Sequence, residues 1–202
     1  RSRHVIGAME WMERVTYEGA ARIVTISEGG RQNLLAKGVP ADRLRVVENW
    51  ADTESIRPGP PSNGGRHPFR ERHGFGDKQV VMYSGNVGLV HGLQNVIDCA
   101  RLMKTTSEVV FAIVGEGNGK PSLTRYAAER GVDNVRFLPT QPREAFPGVL
   151  AAADLCLVTL GKGMSTSSVP SKAYGIMAAG RPMMAAVDEG SEIWQLVQRA
   201  GR

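Results

Sequence analysis

The 202-residue sequence predicts an α/β fold whose main part is a doubly wound parallel sheet. Two features carry that prediction. From Val80 onward, strand-like and helix-like segments alternate with unusual regularity, and the strand-like ones are short continuous apolar runs, as in a sheet covered on both faces. The stretch SSVPSKAYGIMAAGRPMMAA, residues 167–186, adds a loop, a short helix, a tight turn and a buried strand in quick succession.

Taken in order, residues 2–20 place Val5, Met9, Met12 and Val15 at helical spacing with cations between them, and Trp11 widens the apolar face. RIVTIS (22–27) is a β-branched strand. A helix with Leu34 and Leu35 follows and stops at Gly38, with Ser27 as its cap and Glu28 in its first turn. Residues 44–47 form a second strand, completing a βαβ-like pattern. RPGPPSNGGRHP (57–68) is dense in Pro, Gly, Ser and Asn and reads as a linker. Beyond it come the strand VVMYSG, a helix over 93–103, the strand EVVFAIVG, a helix over 121–130 and the strand VRFLP. A helix over 143–152, the strand DLCLVTL, a helix from Pro170, a strand over 183–187 and a helix from Ser191 complete the series. Residues 1–57 hold only two strands and read as the tail of a preceding domain, with 69–202 as the second domain. The abrupt end at Arg202 suggests a piece of a larger protein.

Composition narrows the class. Hydrophobic residues make up 42%, and the net charge of +5 with a pI near 9.5 points to anionic partners. No apolar run approaches the ~20 residues needed to span a bilayer, and the N-terminus lacks the apolar core of a secretory signal, so a cytoplasmic location is expected. Cys99 and Cys156 both sit in apolar sequence typical of buried thiols, without neighbours at metal-ligand spacing, so neither a metal site nor a disulfide is expected. Nucleic acid is not expected as a partner, because no aromatic-basic surface motif accompanies the charge.

In open parallel sheets ligands sit beyond the carboxyl ends of the strands, so the loops there are the candidate sites of chemistry. SGNVGLVHG (84–92) lets backbone approach a ligand at Gly85 and Gly88, with His91 as a donor to phosphate or simply a loop-edge histidine. VGEGNGKP (114–121) offers Gly115 and Glu116, the latter as an acceptor for a sugar hydroxyl or ribose, or as part of a solvated turn. FLPTQP (137–142) offers backbone at Leu138 and Pro139 to edge a planar base. The long loop TLGKGMSTSSVPSK (159–172) presents Ser167, Ser168, Val169 and Pro170. The helix behind that loop adds its N–H groups, the Ser171 hydroxyl and the mobile Lys172 cation for a diphosphate. Gly180 ends this helix and Arg181 can cap its carbonyls. Neither a P-loop, nor a G-x-G-x-x-G fingerprint, nor a G-x-S-x-G elbow occurs.

Longer phrases then coincide in order and spacing: TISEGGRQNLLAKGVPADRLRVVENWADTESIRP, YSGNVGLVHGLQNVIDCA, FAIVGEGNGK, NVRFLPTQPREAFPGVLAAADLCLV and SSVPSKAYGIMAAGRP. Together they resemble the GT-B glycosyltransferases of family 4, particularly the bacterial capsule, O-antigen and exopolysaccharide branch, such as fucosamine transferases. The resemblance implies two Rossmann-like domains, with residues 1–57 ending the acceptor domain and 69–202 forming most of the donor domain. It implies a nucleotide-sugar donor, UDP-linked and N-acetylated or deoxy, a lipid-linked or glycan acceptor, and retention of anomeric configuration without metal or other cofactor. The diphosphate would meet Gly85, Asn86, His91, Ser171 and Lys172. The basic pair usual at the first loop is replaced by Asn86 and His91, and Lys172 stands as the substitute cation. The two glutamates that the family places eight residues apart fall on Ser167 and Gly175, so neither carboxylate is present, and Glu192 matches a later acidic position. No catalytic base is assigned. The basic N-terminal helix reads either as a core helix or as a peripheral contact with an anionic membrane. A noncatalytic partner subunit and a sugar-nucleotide epimerase of the same architecture are the alternatives.

Overall fold

A computed structural model describes residues 3–59, 67–164 and 169–200. The chain divides into two compact units, Arg1–Asn49 and Trp50–Arg202.

In the first unit, α1 (Arg3–Gly19) precedes β1 (Ile23–Thr25), α2 (Glu28–Ala36) and β2 (Leu44–Val46). The two strands pair in parallel, Ile23 opposite Leu44, so the βαβ pattern forms as read. Ser27 caps α2 by accepting the Gly30 N–H at 3.0 Å, and Gly38 leaves the helix with φ +85°. The Arg43 guanidinium caps the other helix: it donates to the carbonyls of Tyr17, Glu18 and Ala20 at the end of α1. α1 is amphipathic in sequence yet buries none of its residues here; Val5, Met9, Trp11 and Met12 are all exposed.

The second unit begins at Trp50, ahead of the boundary expected at residue 57. Its first residues fold onto it: Asp52 accepts the N–H groups of Glu54 and Ser55, and Ile56 packs against the core. The expected linker also gives way at its end to a short helix, α3 (Pro68–Arg72), while 60–66 lie outside the described residues. α3 escaped the sequence reading because its stabilising group is a buried charge. Arg70 pairs with Asp154 at 3.0 Å and donates to the carbonyls of Ala152, Gly76 and Lys78.

Five parallel strands follow: β3 (Gln79–Ser84), β4 (Val109–Val114), β5 (Val135–Leu138), β6 (Leu155–Thr159) and β7 (Met183–Ala186). Their order is β5-β4-β3-β6-β7. Between them run α4 (Gln94–Leu102), α5 (Lys120–Glu129), α6 (Phe146–Ala151) and α7 (Lys172–Ala178), and α8 (Glu192–Ala200) ends the unit. Strand alternation sorts the side chains into two cores. Val80, Met82, Ala112 and Val158 join one with α3 and α6–α8, whereas Tyr83, Phe111, Ile113 and Leu157 join the other with α4 and α5. This is the doubly wound sheet the sequence predicts. Cys156 is buried as expected, its thiol pushed up to about 12 by desolvation, but Cys99 is exposed. Cys99 lies on the outer face of α4, where the helical period turns it away from Val96, Ile97 and Ala100.

The order places β3 at the centre. The chain winds outward from it through β4 and β5, then returns to its other side with β6 and β7. That reversal opens a crevice at the carboxyl ends of β3 and β6, where the loops diverge.

Candidate functional site

The exit of β3 is a knot of glycines. The Gly85 N–H donates to Val114 O at 2.9 Å with φ +144°, so the chain turns back across β4 as it leaves the sheet. The turn is held from the β4 side by Val87 N–H to Glu116 O (2.8 Å) and Gly119 N–H to Val87 O (2.9 Å). A Cβ on Gly115 would lie 1.9 Å from Gly85 O, and one on Gly117 would lie 2.4 Å from Val87 O. The glycines of the second loop therefore let two backbones meet, whereas their sequence pattern alone reads equally as room for a ligand. From the β6 side Gly161 N–H donates to Val90 O at 2.7 Å.

Against this knot lies Lys172. Its ammonium would be 2.8 Å from a Cβ on Gly85 and stands 3.6 Å from the centroid of the Tyr83 ring. Nζ is buried and has no hydrogen-bond partner among the described residues. Desolvation lowers its pKa from 10.5 to about 7. His91, at the end of a 3₁₀ turn (Leu89–His91), is half-buried; burial and then the Lys172 charge hold its pKa below the usual histidine value. Asn86 turns its carbonyl to Tyr83 OH, which donates at 2.7 Å, and its amide packs over Gly88 and Gly117.

Two corrections concern the helix behind the long loop. It begins at Lys172 instead of Pro170, because the entry is a tight turn in which Ala173 N–H donates to Pro170 O and Tyr174 N–H to Ser171 O, both at 3.2 Å. Those two N–H groups are thus not offered to an anion, and Ser171 makes no side-chain cap. Lys172 is also a packed cation where the sequence suggested a mobile one. Ser167 and Ser168 lie outside the described residues. Arg181 donates to Gly59 O at 3.1 Å, tying the end of α7 to residue 59.

A cavity of about 1040 Å³ opens over this arrangement, floored by Gly85, Asn86, His91 and Lys172 and flanked by Val169, Pro170 and Ser171. Trp50, Asp52, Arg143 and Phe146, none of them singled out from sequence, close it. Trp50 and Asp52 were hidden by assignment to the preceding domain, and Arg143 by its place at a helix start. Gly175 also lines the cavity. A side chain there would meet Phe146, Ile56 and Leu150, so the position of the family's second glutamate faces an apolar wall. An adjoining cavity of about 360 Å³ shares Ser84, Gly85, Asn86 and Phe146 and adds Gly115, Glu116, Thr140 and Gln141. Leu138 and Pro139 line neither: the Leu138 carbonyl accepts from Gly115 N–H and from Lys120 Nζ, and the Pro139 carbonyl from Gln141. Glu116 pairs with Lys120 at 2.6 Å, and Glu192 opens α8 outside both cavities.

The arrangement is a buried lysine with no hydrogen-bond partner among the described residues, at a strand-end crevice and flanked by backbone that can approach it closely. Residues 66–192 match the family model of glycosyl transferases group 1, and residues 2–50 that of the glycosyl transferase 4-like domain. The chain belongs to the group 1 glycosyltransferase family. A relative of this group 1 chain is WcaI of Escherichia coli (strain K12), named as a colanic acid biosynthesis glycosyl transferase. It is 32% identical over 92% of this chain and 45% of its own length. The glycosyltransferase WbjE of Pseudomonas aeruginosa is 31% identical over the same shares. The chain thus spans about half the length of the curated relatives it matches. Among solved structures, Anabaena HepE in complex with UDP and glucose superposes with a TM-score of 0.71 at 20% identity, covering 91% of this chain and 48% of that one. WaaG, a glycosyltransferase involved in lipopolysaccharide biosynthesis, gives 0.73 at 14%, covering 89% and 47%. These likenesses show that this group 1 chain has the GT-B type of α/β fold.

Proposed function

We propose that the chain is the donor-binding part of a glycosyltransferase that moves a sugar from a nucleotide-activated donor to a lipid-linked or polysaccharide acceptor in cell-surface glycan synthesis. The observation that carries this reading is the buried Lys172 ammonium, without a hydrogen-bond partner among the described residues, beside Gly85 at the carboxyl end of β3. A buried cation without a counter-ion costs free energy until an anion meets it, and a diphosphate supplies that anion. The names of the relatives support the glycan setting, and the UDP in HepE supports a uridine donor; the resemblance of the sequence to fucosamine transferases favours an N-acetylated or deoxy sugar on it.

In this reading the diphosphate lies on Gly85, Asn86, His91, Ser171 and Lys172. The nucleoside enters the smaller cavity by Gly115 and Glu116, and the sugar occupies the larger one near Val169 and Pro170. As the bond from the sugar's anomeric carbon to the diphosphate oxygen breaks, negative charge grows on that oxygen, and Lys172 is placed to stabilise it. The reaction retains configuration and uses no bound metal. Residues 1–49 belong to the acceptor-side domain, and the protein works in the cytoplasm at the inner face of the membrane. Calorimetric titration with UDP, GDP, TDP and ADP in EDTA tests the proposal. Saturable binding of one nucleotide, weakened by Lys172→Met, is expected; a folded protein that prefers none of them would instead favour the noncatalytic subunit.

A further inference from the structure

We infer that Tyr83 is the positioning residue of this pocket: its ring face holds the Lys172 side chain charged and unneutralised at Gly85, while its hydroxyl fixes the first turn of the glycine loop. This rests on the donor-site reading above.

Tyr83 is wholly buried, the penultimate residue of β3, and Ile113 stands opposite it on β4. Burial raises its own pKa, so the hydroxyl stays a donor, and it donates to Asn86 O at 2.7 Å. The same ring lies 3.6 Å from Lys172 Nζ. One side chain therefore touches both halves of the pocket floor, the loop after β3 and the cation of α7.

The choice of an aromatic partner has a chemical consequence. A carboxylate beside Lys172 would keep it charged but would also neutralise it and compete with an incoming diphosphate. An aliphatic side chain would leave the ammonium with neither solvent nor partner, and it would shed its proton. The negative face of an aromatic ring favours the charged form while leaving the full positive charge for a ligand. The other groups around Lys172 fit this division. His91 faces it from the 3₁₀ turn and is held toward its neutral form, while Asp52, Arg143 and Glu144 line the cavity without pairing to Lys172.

The test compares Tyr83→Phe, which keeps the ring and removes the hydroxyl, with Tyr83→Leu, which removes both. Tyr83→Met serves in its place should the leucine variant fail to fold by circular dichroism. Lysine labelled at Cε reports the Lys172 titration by NMR without any ligand, assigned by its loss in Lys172→Arg. The leucine or methionine variant is expected to lower that titration midpoint by about one pH unit, and the phenylalanine variant to leave it in place. Inorganic pyrophosphate is the binding probe, with each variant compared to the wild type at the same pH so that the probe's own ionisation cancels. Loss of the ring should weaken binding about tenfold at pH 8 but only about twofold at pH 6, where Lys172 is almost fully protonated in the wild type and still about half protonated without the ring. Tyr83→Phe should weaken it equally at both pH values.

A Lys172 midpoint unmoved in both ring-less variants, or moved as far in Tyr83→Phe, overturns the inference. Equal weakening at pH 6 and pH 8 in the ring-less variants also overturns it, because that is what simple loss of packing produces. A moved midpoint together with no pyrophosphate binding by the wild type overturns the donor-site reading and supports only the contact of ring and ammonium.

Discussion

Replacing Lys172 with methionine should make the protein more stable while weakening its hold on a nucleoside diphosphate. The ammonium is buried with no hydrogen-bond partner among the described residues, and its pKa falls from 10.5 to about 7 through desolvation. At 1.36 kcal/mol per pH unit that fall corresponds to at most about 5 kcal/mol of stability forgone in the folded protein with its Tyr83 ring in place. A net gain of a few kcal/mol, at most about 5, is expected for the methionine variant at pH 6 to 7, or a rise in Tm of at most roughly 10–20 °C for a domain of this size. The sign follows from proton counting. Between pH 7 and 10.5 the unfolded chain binds a proton at this lysine that the folded chain does not, so wild-type stability rises with pH across that window. The penalty is complete below pH 7 and fades toward 10.5, where wild type and variant should converge. Urea denaturation at intervals from pH 6 to 10 measures the difference, and calorimetry should show diphosphate affinity lower by about 10- to 100-fold, the loss of one charge-assisted contact. A methionine variant less stable than wild type, or a stability difference flat with pH, would refute the reasoning.

Three other perturbations separate the parts of the site. Gly115→Ala adds a Cβ 1.9 Å from Gly85 O at φ +148°, so it should cost about 3 kcal/mol or more in urea denaturation and abolish diphosphate binding with it. Arg70→Met removes the cation from the buried pair with Asp154 and leaves the carbonyls of Ala152, Gly76 and Lys78 without its N–H groups, so it should cost about 3–5 kcal/mol, whereas the double change with Asp154→Asn should recover part of that loss in the same assay. Glu116→Gln should weaken binding of the preferred nucleoside diphosphate several-fold yet leave inorganic pyrophosphate unchanged, because Glu116 lines the smaller cavity away from Lys172; calorimetry with both probes decides it.

The sheet was legible because its strands are short apolar runs closed by glycine, proline or polar residues, and the βαβ pattern near the chain's start follows the same rule. Ser27 as a helix cap is a purely local signal, and the structure shows it. What escaped was set by distant partners. Nothing within a few residues of Arg70 says that it will be buried, since its carboxylate lies on the far side of the sequence at Asp154. Likewise Ile56 and Asp52 carry no mark that they fold onto the second unit, because a turn and one buried isoleucine look alike on either side of a boundary. The thiol at Cys99 was misplaced by one helical position, where apolar neighbours in sequence are not neighbours in space.

The same distinction explains the site. A glycine has two uses at a strand exit, to let a ligand come close or to let another backbone do so, and spacing alone does not separate them. At Gly115 and Gly117 the second use prevails, since the space a side chain would need is filled by Gly85 O and Val87 O. At Gly85 a lysine tip fills that space instead, and a flexible cation can yield where a backbone carbonyl cannot. The rigid half of the knot therefore sets the position of the loop, and the contact at Gly85 that can adjust is the charged one. That is the arrangement an anion site requires: backbone fixed before the ligand arrives, so that little ordering remains to oppose binding, and a cation whose desolvation cost is relieved only when the anion does arrive.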